Sequence, residues 1–396
     1  MLVFIGIFTL IQALWCFYMG KRLIGPDVPA PWRTWFWGLL ILLFLFQWLI
    51  PVDMWVDRLT PDYSPLRTFL YWASYLSMGF LTLLLFLVFF RDLGSWLAAG
   101  LGAALRPVSN DFSESLRTVP AALLSPRASL ALVLAAFLLN LAGLVQALLP
   151  PRVAKVEVAF ANLPTAFEGY RIAQFSDLHL GPTHRRTCAE RSSRILDSLE
   201  ADLVVFTGDL ADGFPGKLRH DSEPLGNIRA KDGKLFVTGN HEYYWDAKGW
   251  IRRMQELEYR VLTNEHLLVR RGDAALAIGG IPDFTARRIP LTPPPDIAKA
   301  FEGIPEGVPK VLLAHQPVEA RNAASLGVGL VLSGHTHGGQ FIPFNLLTGL
   351  AQPYLAGLYR IGDTQLYVNR GTAWWGPPNR LGIPPEITLI TLRRSD

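Results

Sequence analysis

Four stretches of this chain, residues 2–19, 34–51, 68–90 and 128–149, are apolar and contain no Asp, Glu, Lys or Arg. Each has the roughly 17–25 residues needed to cross a hydrocarbon core as a helix. Inside lipid only a helix or a closed barrel satisfies its own backbone, and runs of this length and uniformity specify helices. Residues 1–150 therefore read as a four-helix transmembrane anchor, and residues 151–396 as a second domain of different character. The first run has no basic segment before it and no small-residue cleavage site after it, so it reads as a retained helix.

The loops suggest an orientation. Lys21, Arg22 and Arg33 lie in the first, and Arg91, Arg106, Arg117 and Arg127 in the third; the second has Arg58 and Arg67 against three aspartates. Lys/Arg-rich loops stay cytoplasmic, which places the N-terminus and the C-terminal domain on the periplasmic or extracytoplasmic side. Within the runs the strongly polar side chains are Gln12, Gln47, Asn140 and Gln146. With no ionisable group there, an anchor is expected rather than an ion path. Residues 94–105 (GSWLAAGLGAAL) are too short to span and are expected to lie along the bilayer surface. The net charge of +4 is accounted for by membrane-flanking Lys and Arg; no basic block interleaved with aromatics points to nucleic acid. Cys16 and Cys188 form no disulfide framework.

Beyond residue 153 short apolar runs end repeatedly in polar clusters. IAQFS leads into DLHLG, LVVFT into GDLADG, KLFVT into GNHEYY, KVLLA into HQP, and VGLVLS into GHTHGGQ. Helix-like stretches at 187–199 and 247–257 separate some of them. Strands alternating with helices predict an α/β architecture, whose sites form outside the carboxyl ends of the strands. Every cluster falls at that edge, so Asp177, His179, Asp209, Asn240, His241, His315, His335 and His337 are expected to converge. Taken singly, His315 reads as a structural histidine, and Asp209 and Asn240 as turn residues. Together, five coincidences at five strand ends are needed for those readings to hold.

The set mixes imidazole, carboxylate and amide oxygen with no thiolate. That disfavours a structural cysteine zinc site and suits Mn²⁺, Fe or Zn²⁺ at a catalytic centre. The ligands are too many for one ion. Two ions about 3.5–4 Å apart acidify a water between them and clamp the attacking and leaving oxygens of a phosphoryl displacement.

The series SDLHLG, GDLADG, GNHE, AHQP and GHTHGGQ resembles, in order and complete, the calcineurin-like metallophosphoesterase superfamily. The tail LYVNRGTAWWGPPNRLGIPPEITLITL looks like a membrane-anchored phosphodiesterase subgroup related to UDP-2,3-diacylglucosamine pyrophosphatases. The resemblance implies a four-layer metallophosphoesterase fold, two packed mixed β-sheets flanked by helices, preceded here by the α-helical transmembrane bundle. It implies two divalent metals, manganese foremost, with iron, zinc or magnesium as alternatives. Asp177, His179 and His337 would hold the first, and Asn240, His315 and His335 the second, with Asp209 bridging. His241 would face the scissile phosphate as a catalytic group, and Glu242 would orient its loop. Gly208, Gly239, Gly334 and Gly338 are expected where φ is positive or backbone approaches the centre closely. One departure is Ala373-Trp374-Trp375, where relatives have a small residue. These indoles suit either packing or the bilayer, and the run 341–359 (FIPFNLLTGLAQPYLAGLY) raises the same choice.

The expected activity is hydrolysis of phosphodiester or pyrophosphate bonds in a lipid-linked or nucleotide-linked substrate. A metal-bridging hydroxide attacks in line, with no covalent intermediate. The bilayer and a phosphate-bearing molecule are the expected partners. An extracytoplasmic domain favours phospholipids or envelope polymers over a cytoplasmic lipid precursor. The alternative is a non-catalytic metal-binding membrane scaffold or sensor.

Overall fold

The computed structural model describes residues 2–25, 28–56, 63–160, 162–289 and 292–395. The chain divides into one unit of Met1–Val145 with Gly376–Asn379, and a second of Gln146–Trp375 with Arg380–Asp396.

The first unit is helical: α1 (Leu2–Leu23), α2 (Ala30–Val56), α3 (Pro65–Leu105), α4 (Asn110–Leu123) and α5 (Pro126–Leu148). Among the described residues, three helices are long and apolar enough to cross a membrane: Ala30–Leu49 within α2, α3 and α5. The first apolar run forms α1, which ends on Lys21 and Arg22. Residues 94–105 are not a separate surface segment but the carboxyl part of α3, whose 41 residues extend about 61 Å. Their alanines and leucines propagate the helix. α4 folds back on them, with Ser113 Oγ donating to Gly102 O at 2.6 Å. A Cβ on Gly102 would crowd Ser113, Leu116 and Arg117, so the missing side chain sets how closely the two helices approach.

Arg91 is likewise inside α3 rather than in a loop, and it is buried beside Asp92. Arg91 Nε and Nη2 donate to Asp92 Oδ1 at 3.0 and 2.8 Å, and Arg22 Nε to Asp92 Oδ2 at 2.5 Å. Tyr18 donates to the same carboxylate, and Arg91 Nη1 to Ser129 Oγ at the start of α5. The bundle therefore contains a paired buried charge cluster that the charge-free runs concealed. Asn140 finds partners too: its amide donates to Leu76 O and its Oδ1 accepts from Asn379 Nδ2. Arg58 lies outside the described residues.

The second unit contains β1 (Arg152–Phe160), β2 (Arg171–Phe175), β3 (Leu203–Phe206), β4 (Lys234–Phe236), β5 (Tyr259–Val261), β6 (Glu265–Arg271), β7 (Ala274–Gly280), β8 (Lys310–Leu313), β9 (Leu330–Ser333), β10 (Gly357–Ile361), β11 (Thr364–Val368) and β12 (Glu386–Arg394). Its helices are α6 (Arg186–Ser198), α7 (Pro215–Ser222), α8 (Asn240–Trp245), α9 (Ala247–Glu256), α10 (Ile297–Ala300), α11 (Ala320–Ala324) and α12 (Phe344–Ala351). The strands form two six-stranded sheets, in the orders β1-β12-β2-β3-β4-β5 and β10-β11-β9-β8-β7-β6. Strands β2 to β5 run parallel, as do β7, β8, β9 and β11, while β12 and β2, β10 and β11, and β6 and β7 pair antiparallel. Ile172, Leu203, Val205 and Leu235 of one sheet share a buried cluster with Leu276, Ile278, Val311, Leu330 and Leu332 of the other. This is the fold of two packed mixed sheets flanked by helices. The five strands expected from apolar runs are β2, β3, β4, β8 and β9, buried on both faces as parallel strands between layers must be.

Candidate metal centre

Each expected residue stands just past a strand. Asp177 and His179 follow β2, Asp209 follows β3, and Asn240 and His241 open α8 after β4. His315 follows β8, and His335 and His337 follow β9. Backbone bonds stitch these loops together: Asp177 N donates to Gly208 O at 2.9 Å, His179 N to Asp209 O at 3.2 Å, and Gly334 N to His315 O at 3.0 Å. Asp177, His179, Asp209, His335 and His337 all adopt left-handed φ, between 46° and 72°. Such conformations are costly away from glycine and persist where the surroundings impose them, commonly at functional sites.

Among the described residues the side chains converge in three groups able to hold a cation: Asp177–His179–His337, Asp209–His315–His335, and His179–Asp212–His241, which shares His179 with the first. In the first, His179 Nε2 lies 3.0 Å from His337 Nε2, and Asp177 Oδ1 lies 3.4 Å from His337 Nε2 and 4.0 Å from His179 Nε2. In the second, His315 Nε2 is 3.2 Å from Asp209 Oδ2, from Asn240 Oδ1 and from His335 Nδ1. Asp209 Oδ2 is also 3.8 Å from His179 Nε2, which puts it between the clusters. Donors sharing one ion at about 2.1 Å stand about 3.0–3.4 Å apart, which the His179–His337, Asp177–His337 and His315-centred spacings match, while Asp177 Oδ1–His179 Nε2 at 4.0 Å is wider. The opposite ring nitrogens are occupied: His315 Nδ1 lies 2.7 Å from Thr207 O, and His179 Nδ1 3.3 Å from Asp212 Oδ1. With the proton on Nδ1 in each, Nε2 is left as a lone pair, the usual arrangement for a metal-binding imidazole.

The glycines act in two ways. Gly208 and Gly338 have positive φ (93° and 64°). Gly239 and Gly334 do not; there a Cβ would overlap Asp209 Oδ1 and, respectively, Ser176 Oγ and Asp177 Oδ2.

Burial raises the Asp177 carboxyl, and nearby Asp209 adds to it. Burial acts on Asp209 in the same sense, but His315 and His241 outweigh it and hold Asp209 well below the usual carboxylate range. Burial pushes His335 down to about 4, with His315 adding, and lowers His337 well below its ordinary value together with His179. His241 goes the other way: burial opposes its charge, yet Asp209 and Asp212 raise it to about 9. Neutral His335 and His337 and ionised Asp209 are the forms a cation binds, whereas burial opposes a charge on His315 yet Asp209 raises it well above its ordinary value, as at His241.

Several residues at the site are not evident from the motifs as metal ligands. Asp212, inside GDLADG, contacts Nδ1 of both His241 and His179. Glu242 accepts the backbone N–H of Gly239, Leu210 and Asp209 at 2.6, 2.7 and 3.1 Å, joining the loops after β3 and β4. Arg380, fully buried, donates to His337 O at 3.3 Å and to Arg370 O at 2.6 Å. The two tryptophans part company. Trp374 is buried against His184, ring centroids 3.7 Å apart, whereas Trp375 is 51% exposed with its ring 6.0 Å from that of His241. Asp212 was within reach of sequence reasoning, since it lies in a quoted motif; no local signal marks Arg380 or His184.

Two packed sheets that present adjoining His/Asp clusters at their strand ends form a candidate metal centre. The description of the calcineurin-like phosphoesterase family matches residues 170–339. The chain is 34% identical over 414 residues to "Transmembrane protein with metallophosphoesterase domain" of Danio rerio, covering 100% of this chain and 89% of that protein. It is 40% identical over 272 residues to the protein of the same name in Bos taurus, covering 66% of this chain and 61% of that one. An uncharacterized metallophosphoesterase of Helicobacter pylori is 38% identical over 224 residues, with 56% of this chain and 59% of that one covered. The chain belongs to the calcineurin-like metallophosphoesterases, a family whose members generally bind two divalent metals, and it resembles those that carry transmembrane segments.

Proposed function

We propose that the protein is a membrane-anchored, two-metal phosphoester hydrolase acting on phosphodiester or pyrophosphate bonds of a lipid-linked or nucleotide-linked molecule. The observation that carries this reading is the pair of clusters joined by Asp209, with His241 Nε2 3.9 Å from Asp209 Oδ2. Asp177, His179 and His337 would hold one ion and Asn240, His315 and His335 the other, with Asp209 placed to reach either. The donor set suits Mn²⁺ best, with Fe, Zn²⁺ and Mg²⁺ as alternatives. Bound there, such ions supply Lewis acidity to the phosphoryl oxygens and a nucleophile at neutral pH.

The chain's own groups do the rest. Asp212 accepts from His179 Nδ1 and so aims its other nitrogen at the first cluster. The same carboxylate takes His241 Nδ1, favouring the imidazolium and directing Nε2–H at the departing or developing oxyanion. Glu242 fixes the backbone at Gly239 and Asp209, setting the distance between those two actions. The intact ligand set and the charged His241 favour turnover over a scaffold role. Even without Arg91, the basic residues Lys21, Arg22 and Arg33 and Arg106, Arg117 and Arg127 support an extracytoplasmic domain, and the apolar helices an integral membrane protein, testable by labelling a cysteine placed at Glu302 with an impermeant reagent on intact cells.

The direct test is hydrolysis of a chromogenic phosphodiester and of its monoester by the detergent-purified chain, with Mn²⁺, with chelator, and with Asp209→Ala. Manganese-dependent diester cleavage abolished by the substitution is the expected result. A folded, metal-loaded chain that turns over neither these esters nor lipid pyrophosphates would sink the reading.

A further inference from the structure

The metal loop continues directly into an apolar surface. Residues 341–359 contain no charged side chain. Within them α12 (Phe344–Ala351) has no buried residue. Leu350 is 86% exposed and Leu346 57%, with Leu347, Ile342 and Trp375 also exposed. Single exposed leucines are ordinary on a soluble domain, but several on one uncharged eight-residue helix form a patch that calls for an apolar neighbour.

This patch is rooted in the site. Gly339 of the GHTHGGQ loop packs so closely on Asn345 of α12 that a Cβ there would collide with its backbone. Buried Phe341 stacks on Phe344, ring centroids 5.4 Å apart. Gln340 holds Trp375 at both ends: its Nε2 donates to Trp375 O at 2.7 Å and its Oε1 accepts from Trp375 N at 2.9 Å. The exposed indole beside His241 and the leucines of α12 are thus fixed to one loop, whose histidines belong to both clusters.

We propose that α12, with Ile342 and Trp375, inserts into the surface of the bilayer that holds the protein, forming a lipid-side rim to the metal centre. Three described helices are long and apolar enough to cross a membrane, which makes a bilayer the apolar neighbour at hand. Outward leucines match the apolar face of an interfacial helix, and the indole beside them suits the headgroup level. Resting on the hydrolase reading, the consequence is that substrate is drawn from the lipid phase, its acyl portion remaining in the membrane while its phosphoester reaches His241.

The test uses the full chain reconstituted in phosphatidylcholine–phosphatidylglycerol vesicles. A fluorophore is placed through Leu350→Cys, on a background with Cys16→Ala and Cys188→Ala, and a control through Glu302→Cys. Doxyl-labelled lipids should quench the label at 350 and not at 302, with a soluble quencher showing the reverse. Quenching at 350 by the soluble reagent alone would overturn the proposal. So would protection from both reagents, which would indicate a protein partner or a second copy. This depth measurement needs no turnover, so it stands even where the hydrolase reading fails. For the substrate arm, Leu346→Ser with Leu350→Ser should lower hydrolysis of a long-chain phosphodiester about tenfold or more. Cleavage of a short soluble diester should stay unchanged, and equal loss on both would refute lipid-side access.

Discussion

Replacing Asp212 by Asn tests how the site divides labour between cation binding and proton delivery. The carboxylate, partly open to solvent, contacts Nδ1 of both His241 and His179. The two histidines' histidine–carboxylate pairing is charge-assisted at His241, whose imidazolium form Asp209 and Asp212 favour, up to about 9. Asn keeps one oxygen acceptor but removes the charge, so the loss amounts to about one charge-assisted hydrogen bond, or roughly 1.5–3 kcal/mol. Expressed in the transition state this is about 10- to 150-fold in kcat. The sign of the pH effect follows from the acid form being the active one: activity falls as pH rises through the His241 pKa, and bound cations move that point below its metal-free value. Removing Asp212's charge lowers it again, so the alkaline limb of the kcat profile should shift to lower pH. In metal-free protein, a raised folded pKa makes a contribution to stability that is complete below 6.5 and lost as pH rises to about 9. Asp212→Asn should flatten that fall in Tm. The measurements are kcat, KM and bound metal against pH for both proteins. An unchanged kcat and an unmoved alkaline limb in a variant that retains its metals would refute the role given to Asp212.

Other expectations are more direct. His241→Gln should reduce kcat about 10²–10⁴-fold and abolish the alkaline limb while metal content, read by elemental analysis, is retained. Gly334→Ala places a methyl onto Ser176 Oγ and Asp177 Oδ2 and should cost metal before it costs fold, visible as lost binding with a smaller change in Tm. Chelation should lower Tm, with Mn²⁺ restoring it in proportion to its concentration, because the ion binds only the folded site. In the helical unit, Asp92→Asn leaves Arg91 and Arg22 without their shared carboxylate and should destabilise the detergent-solubilised protein by about 3–5 kcal/mol, read as a drop in apparent Tm.

The reach of the sequence differed between the two units for physical reasons. Asp177, His179, Asp209, Asn240, His315, His335 and His337 were legible because each ends an apolar strand, and parallel strands bring their carboxyl ends to one edge whatever the loops do. Asp212 was not singled out, since its importance lies in two histidines from different strand ends meeting one carboxylate. In the helical unit, hydropathy located α1, α2, α3 and α5 but separated residues 94–105 from α3, because a break in apolar composition does not break the helix. Arg91 looked like a loop charge for the same reason.

By itself, then, the sequence determined a membrane-associated chain with an α/β domain and a His/Asp centre at its strand ends. Period, hydropathy and residue chemistry are local properties, and they are written in order along the chain. Only the tertiary structure decided that Trp374 is buried against His184 while its neighbour Trp375 is exposed beside His241. It alone showed that Gly239 and Gly334 serve close approach rather than positive φ, and that Glu242 locks two loops together. Those outcomes depend on which groups from distant segments fill the same few ångströms, a matter of packing that no single stretch of chain encodes.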